Sequence, residues 1–374
     1  MNANGRYAPP MLAVWLHDLS PFLLKFSDSF GLRWYGLSYA LGFLVGWMIL
    51  RWLSRKGITL LPEHRIPDAM LILVISVIVG GRLGYVFIYD PALLTTFSKS
   101  PPYWNALAIN NGGMAYHGAV VGTMVAGWII SKGFNETVNQ QTKTTQRLGA
   151  STWRHAMDCI AFACTIGLGL GRVANFINGE LLGKIVAMPG EPAPWWSIKF
   201  PQELLEGHAP KLSLEQQTKL DTIINAVAAP MDSRDQAIAR MIDMLQHGGT
   251  TTAGRLNTQL EPLIAARHPS QIYQAFFEGV VLTAVLWFVW RIPRRPGVVG
   301  CWFLITYGVL RVIAEFFRLP DAQFGDAGRM LGFSRGQWLS LLMVVGGVGT
   351  LLWIRSLKEK AIGCLLYTSD AADE

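Results

Sequence analysis

Seven stretches of this chain are each long and apolar enough to cross a lipid bilayer, and no other feature constrains its fold as strongly. They cover roughly residues 35 to 53, 66 to 89, 112 to 131, 156 to 177, 271 to 290, 297 to 317 and 336 to 354. A hydrocarbon core about 30 Å thick needs about 20 mostly apolar helical residues. Composition points the same way: of 374 residues, 51% are hydrophobic and 15% charged, whereas a soluble domain carries roughly 25% charged residues. So little charge cannot coat a globule of this size. Gly shows no period, apolar content is high and only four Cys are present, which excludes collagen, disordered tails and small disulfide scaffolds. The expected fold class is all-α, a polytopic membrane protein with about seven transmembrane helices.

The net charge of +7 is spread in short groups between apolar runs, as orientation signals are, and no single cluster suggests nucleic acid. Loops near residues 51–65, 132–154, 291–295 and 355–360 put fourteen Lys and Arg on one side; the other side has seven, leaving out the long loop. Short basic loops resist translocation, so the N-terminus is expected outside and the C-terminus in the cytoplasm. Residues 1–34 show no cleavable signal peptide and, with Pro10, Pro21 and Phe22-Leu23-Leu24, read as an interfacial segment. Residues 35–183 hold spans one to four and 268–360 spans five to seven. Between them, 184–267 is polar, with Gly190, Pro192 and Pro194 and helical periodicity near 213–228 and 233–246. It reads as an extracytoplasmic cap or, alternatively, a variable insertion. Residues 361–374 form a non-native tail, the last eleven resembling vector read-through. Cys159, Cys164 and Cys301 lie in apolar runs and Cys364 in that tail, so no pair reads as a disulfide or metal clamp.

A charge inside a span costs about 2.5 to 3.5 kcal/mol on insertion scales, so it reads as a functional or paired group facing a cavity. With the orientation above, such groups crowd one leaflet. Tyr35 starts span one, Arg82 and Tyr85 lie near the outer end of span two, and His117 opens span three. Arg172, Asn175, Asn178 and Glu180 close span four. His268, Ser270 and Gln271 enter span five, with Glu278 deeper, and Arg311, Glu315 and Arg318 finish span six. Tyr307, Arg311 and Glu315 are spaced four apart and share a helical face with Arg318. Arg311 and Glu315 alone could simply neutralise each other, and His117 alone could be a satisfied buried histidine.

Gly42 and Gly46, Gly80 and Gly84, Gly118 and Gly122, and Gly167 and Gly171 repeat at four-residue spacing, which suits close helix packing. Gly167 to Gly171 has no preceding strand and is no nucleotide loop, and Asp158 reads as structural. No metal motif, serine-hydrolase elbow or phosphate loop appears. Arginines at headgroup depth suit a phosphate, because the guanidinium fork matches its oxygens and stays charged when desolvated. The residues point to a metal-free site acting on a phospholipid, with no cofactor expected.

The run Gly171 to Gly183, GRVANFINGELLG, resembles the signature of the bacterial prolipoprotein diacylglyceryl transferases. Similar blocks follow the family's order: RWYGLSY at 33–39, GGRLGYVFIY at 80–89, GGMAYHG at 112–118, RHPSQIY at 267–273 and YGVLRVIAEFFRLPDAQF at 307–324. The resemblance implies an enzyme of the bacterial inner membrane, with its site toward the outer leaflet. It would move the diacylglyceryl group of phosphatidylglycerol onto the thiol of a prolipoprotein lipobox cysteine. A thioether forms and glycerol phosphate leaves. His117, Tyr35, Arg172 and Arg311 are the expected catalytic residues. Arg82, Tyr85, Asn175, Asn178, Glu180, Gly183, His268, Tyr307, Glu315 and Arg318 are expected to bind substrate. Arg33, Asn111 and Gln274 stand where His, Asp and Glu are usual, and 184–267 is longer than in many members.

A thiol with an ordinary pKa of about 8.5 attacks well only as thiolate, and His117, through Tyr35 or water, is the expected base. Arg172 and Arg311 would hold the phosphate and stabilise its developing charge. Glu180 and Glu315 would orient arginines. The rival class is an anion or lipid transporter with an outward-facing arginine site; it predicts polar groups through the whole depth.

Overall fold

The computed structural model describes residues 14–26, 31–99, 101–109, 112–139, 144–319 and 333–363. The tail 364–374 and Asn111 lie outside these residues. Among the described residues, six helical runs are long and apolar enough to cross a membrane: Trp34–Arg55, Glu63–Ile88, Trp153–Asn178, Ser270–Val289, Val298–Glu315 and Gly336–Ser356. They contain α1 (Trp34–Arg55), α2 (Ile66–Ile88), α4 (Trp153–Asn178), α8 (Ser270–Ala275), α9 (Leu282–Val289), α10 (Val298–Glu315) and α11 (Arg335–Ser356). The chain is a mostly helical, multi-pass membrane protein.

The stretch expected as span three is the exception. Its helix, α3 (Tyr116–Ser131), has 16 residues, about 24 Å at 1.5 Å per residue. Gly112 and Gly113 take φ of +80° and +79°, a left-handed backbone that glycine adopts without strain. Ala115 is extended. The four residues read as the start of a span are therefore a loop.

The chain divides into two compact units. The first comprises Met1–Tyr39, Leu168–Gly279 and Tyr307–Leu342. Here β5 (Ile185–Ala187), β7 (Ala266–Arg267) and β6 (Ile198–Lys199) form a small antiparallel sheet. Leu16 bridges Lys199 beside it. Two helices read from periodicity are present, α5 (Leu214–Val227) and α6 (Arg234–His247), with a third, α7 (Thr250–Leu260). Ser213 with Gln216 and Ser233 with Gln236 make capping boxes that fix the starts of α5 and α6. The start of α7 carries three threonines and no side-chain cap, so it lacked that signal. Leu220, Ile224, Met241, Leu245 and Leu260 bury a core that also takes in Leu16. The N-terminal segment is thus partly pinned to this core. Its hairpin, β1 (Phe22–Lys25) with β2 (Gly31–Arg33), leaves Leu24, Phe26 and Leu32 exposed just before α1.

The second unit comprises Ala40–Gly167, Val280–Thr306 and Met343–Glu374 and includes the antiparallel pair β3 (Phe134–Asn139) and β4 (Thr144–Leu148). Its α2 and α3 meet glycine to glycine. A Cβ on Gly80 would stand 2.4 Å from the Gly118 carbonyl oxygen, and one on Gly122 2.0 Å from that of Ser76. Gly42 is similarly close to Gly167, at 3.2 Å from its Cα. These pairs serve close helix approach as expected; Gly171, in the first unit, faces open space. Asp158 of α4 accepts the backbone N–H groups of Gly297 at 2.7 Å and Gly300 at 2.6 Å. A carboxylate from one helix therefore caps the start of another, α10, in keeping with its structural reading.

Candidate active site

In the first unit the signature sequence ends α4 at Asn178, and Gly179 turns the chain with φ +69°. That turn swings Glu180 back toward the helix it leaves. Glu180 Oε2 accepts from Tyr35 Oη at 3.4 Å and Asn175 Nδ2 at 3.2 Å, and Oε1 from Asn178 Nδ2 at 3.1 Å. Asn175 also donates to the Tyr35 hydroxyl. Gln271 Nε2 holds the Glu180 carbonyl at 2.5 Å. Four expected site residues, Tyr35, Asn175, Asn178 and Glu180, thus meet around one carboxylate.

One turn earlier on α4, Arg172 Nε donates to Glu278 Oε2 at 2.9 Å. Glu278 lies in a π-helical turn, Phe276–Val281, between α8 and α9. A Cβ on Gly169 would stand 2.8 Å from Gly279 Cα, so the absence of side chains there lets the two backbones close up. Tyr307 lies against the Arg172 guanidinium and within electrostatic reach of Arg311. Arg311 Nη1 donates to Gln274 Oε1 at 2.8 Å and Nη2 stands 3.6 Å from Glu315 Oε2. Ser334 Oγ donates to Glu315 Oε1 at 3.1 Å. Two guanidiniums therefore act on one phenol, each with a carboxylate beside it.

The other expected residues of this unit are Gly183, His268 and Arg318. Gly183 bridges Arg318, and a Cβ there would stand 2.0 Å from the His268 carbonyl oxygen. His268 is ringed by Trp196 at 5.1 Å, Phe317 at 5.3 Å and Tyr273 at 6.0 Å. Burial and the Lys184 charge hold its imidazole below the usual histidine range. Arg318 is buried.

Arg82, Tyr85 and His117 belong to the second unit. Arg82 is buried and spends its donors on backbone carbonyls: Nε on Ala106, Nη1 on Gly112 and Gly113, and Nη2 on Asn105. Its guanidinium lies over the Tyr85 ring at 5.7 Å. Arg82 thus ties Asn105 and Ala106 to Gly112 and Gly113. His117 is exposed on the first turn of α3, edge-on to Tyr116 at 5.9 Å.

A family model described as prolipoprotein diacylglyceryl transferase matches residues 21–353. The chain belongs to the prolipoprotein diacylglyceryl transferases. Among similar proteins is the phosphatidylglycerol–prolipoprotein diacylglyceryl transferase of Bdellovibrio bacteriovorus, 36% identical over 366 residues, 93% of this chain and 96% of the relative. Those of Roseobacter denitrificans (33% over 358 residues; 88% and 94%) and Rhodospirillum rubrum (32% over 357 residues; 94% and 98%) bear the same name. The transporter reading finds no support among these transferases.

Sequence reasoning left three contacts of this transferase unassigned: Glu278 on Arg172, Gln274 on Arg311 and Ser334 on Glu315. The first two carried a signal. Gln271, Gln274 and Glu278 are spaced three and four apart in an apolar run, a polar stripe on one helical face.

Proposed function

We propose that this chain transfers the diacylglyceryl group of phosphatidylglycerol to the lipobox cysteine of a prolipoprotein, the first step of lipoprotein maturation. Family membership supports the reaction. The observation that carries the mechanism is the pair of guanidiniums, Arg172 and Arg311, that both act on Tyr307. Glu278 and Gln274 occupy part of each fork and fix its direction, leaving donors for a phosphate.

The thiolate sulfur attacks the glyceryl carbon, the carbon–oxygen bond breaks, and its electron pair goes to the phosphate oxygen. Charge grows on that oxygen as the bond lengthens, and fixed guanidiniums stabilise it without the reorganisation that water requires. The thiol gives up its proton before it attacks. Glu180 with Tyr35, Asn175 and Asn178 keeps the end of α4 in shape. The protein sits in the bacterial cytoplasmic membrane with residues 184–267 as an extracytoplasmic cap and the site toward the outer leaflet; the Lys and Arg distribution supports this orientation.

The test uses purified protein, phosphatidylglycerol and a lipobox peptide, read by mass spectrometry. A diacylglyceryl adduct on the cysteine is expected. Folded protein that yields none refutes the proposal.

A further inference from the structure

The loop that joins β5 to β6 leaves two adjacent tryptophans on the surface just after the signature sequence. It is a built turn, closed by bonds at both ends. Gly190 takes φ +85°, Met188 N–H donates to Glu191 Oε2 at 2.9 Å, and Ser197 N–H donates to the Pro194 carbonyl at 3.0 Å. Gln216 Nε2 of α5 holds the Pro189 carbonyl at 3.0 Å. Trp195 and Trp196 are thereby set in place. Trp195 is 77% exposed, the most of any tryptophan among the described residues.

Where the pair stands follows from its neighbours, all in the first unit. The Trp196 ring stacks on His268 at 5.1 Å, and His268 packs on Phe317 at 5.3 Å and Tyr273 at 6.0 Å. Tyr273 and Phe317 meet at 5.5 Å. His268 lies two residues before Ser270, where one membrane-crossing run starts, and Phe317 two residues past Glu315, where another ends. The pair is therefore fixed at the ends of two crossings, on the level at which hydrocarbon gives way to water. An indole combines a broad apolar ring with one N–H donor, so neither water nor hydrocarbon suits all of it. The headgroup boundary suits both parts.

We propose that residues 188–197 form a lipid-surface anchor, with the Trp195 indole seated among the headgroups of the leaflet in which those two runs end. It needs only the membrane crossings, not the transferase reading. Bilayer lipid is the occupant the observations favour over a second protein, because lipid surrounds the ends of both runs whatever else binds. The anchor bears on the site through the backbone. Lys184 N–H donates to the Phe317 carbonyl at 2.9 Å, and the Lys184 carbonyl accepts from His268 N–H at 3.1 Å. Tyr273 adjoins Gln274, the partner of Arg311. Lipid that holds Trp195 thus fixes the height of the signature's end and of the Arg311 fork relative to phospholipid headgroups. The cap rides on the membrane surface at this point and does not lift away from it.

The experiment places a nitroxide spin label at Trp195→Cys or, as a control, at Met231→Cys in the turn between α5 and α6, where Met231 is 101% exposed. Both variants are made in the full-length protein carrying Cys364→Ser and reconstituted in vesicles of phosphatidylcholine and phosphatidylglycerol. The signal of the labelled Cys364→Ser parent is subtracted. The label at 195 is expected to collide on the order of threefold less often than the label at 231 with a water-soluble nickel chelate, and more often with oxygen dissolved in the bilayer. Equal accessibility at the two positions overturns the proposal. So does a label at 195 that is open to the chelate in vesicles and becomes shielded only when a lipobox peptide is added, which would make the loop a peptide-docking surface. With Trp195 itself in place, the fluorescence lost in Trp195→Phe is expected to be quenched by brominated lipid chains in the same vesicles and spared by iodide. Iodide quenching without lipid quenching overturns the proposal even if neither cysteine variant folds.

Discussion

Arg172 Nε donates to Glu278 Oε2 at 2.9 Å, joining the end of α4 to a π-helical turn 106 residues further along the chain. Glu278 is 2% exposed, so removing either member strands a charge. Glu278→Ala is expected to destabilise the protein by about 3 to 5 kcal/mol, read as a lowered thermal midpoint in detergent. Glu278→Ala combined with Arg172→Met is expected to be more stable than Glu278→Ala alone, because no unpaired charge remains. A double variant no more stable than that single one would show that the pair does not compensate itself.

Gln274 sets the direction of Arg311 by accepting from Nη1 at 2.8 Å while its own Nε2 donates to the Ser270 carbonyl at 3.2 Å. Gln274→Leu removes the acceptor beside a charged donor, which is worth about 1.5 to 3 kcal/mol. A rise of at least about tenfold in KM for phosphatidylglycerol is expected. Gln274→Glu keeps an acceptor at that position and is expected to retain activity. Equal KM values in Gln274→Leu and the wild type would remove Gln274 from the site.

Asp158 offers a control remote from the chemistry. Asp158→Ala leaves the Gly297 and Gly300 N–H groups without their acceptor, at about 1 to 3 kcal/mol for each buried donor. The thermal midpoint should fall while adduct formation well below that midpoint stays at wild-type rate. Loss of rate in the folded variant would contradict a purely structural role.

His17 makes the first unit sensitive to acid. Its ring is buried among Trp15 at 5.7 Å, Phe176 at 5.5 Å and Phe200 at 5.0 Å, and that burial lowers its pKa to about 4 from the usual 6.5. The folded protein binds this proton more weakly than the unfolded chain does. Stability from His17 is therefore whole above pH 6.5 and falls as pH drops toward about 4, by about 3 kcal/mol in all. His17→Phe is expected to weaken that acid dependence in melts between these pH values; an unchanged slope would place the sensitivity elsewhere.

The membrane class, six of seven spans and the polar cluster at the end of α4 were readable because each rests on local pattern: apolar run length, four-residue spacing, and an Asn-Gly turn. The start of span three was misplaced on the same ground, since Gly112 and Gly113 belong to an apolar stretch by composition but to a loop by φ. The sixth stretch was read two residues too far, α10 ending at Glu315. Arg82 was read as a substrate contact because an arginine in a span invites a ligand. Its donors reach backbone carbonyls 23 to 31 residues away, and no side-chain pattern records a carbonyl's direction. The contacts of Gln202 with Gly179 and of Arg267 with the Gly183 carbonyl were likewise hidden, because each joins residues far apart in the chain.

The claim on which the rest depends is that two rigid guanidinium forks hold the phosphate of the lipid donor. Arg172→Lys and Arg311→Lys keep the charge and lose the fork. The most direct measurement is adduct formation by each variant after its insertion and thermal midpoint have been checked. Both are expected to insert, to fold and to yield on the order of 10²-fold less adduct than the wild type. Either variant, folded and transferring at the wild-type rate, would contradict the account.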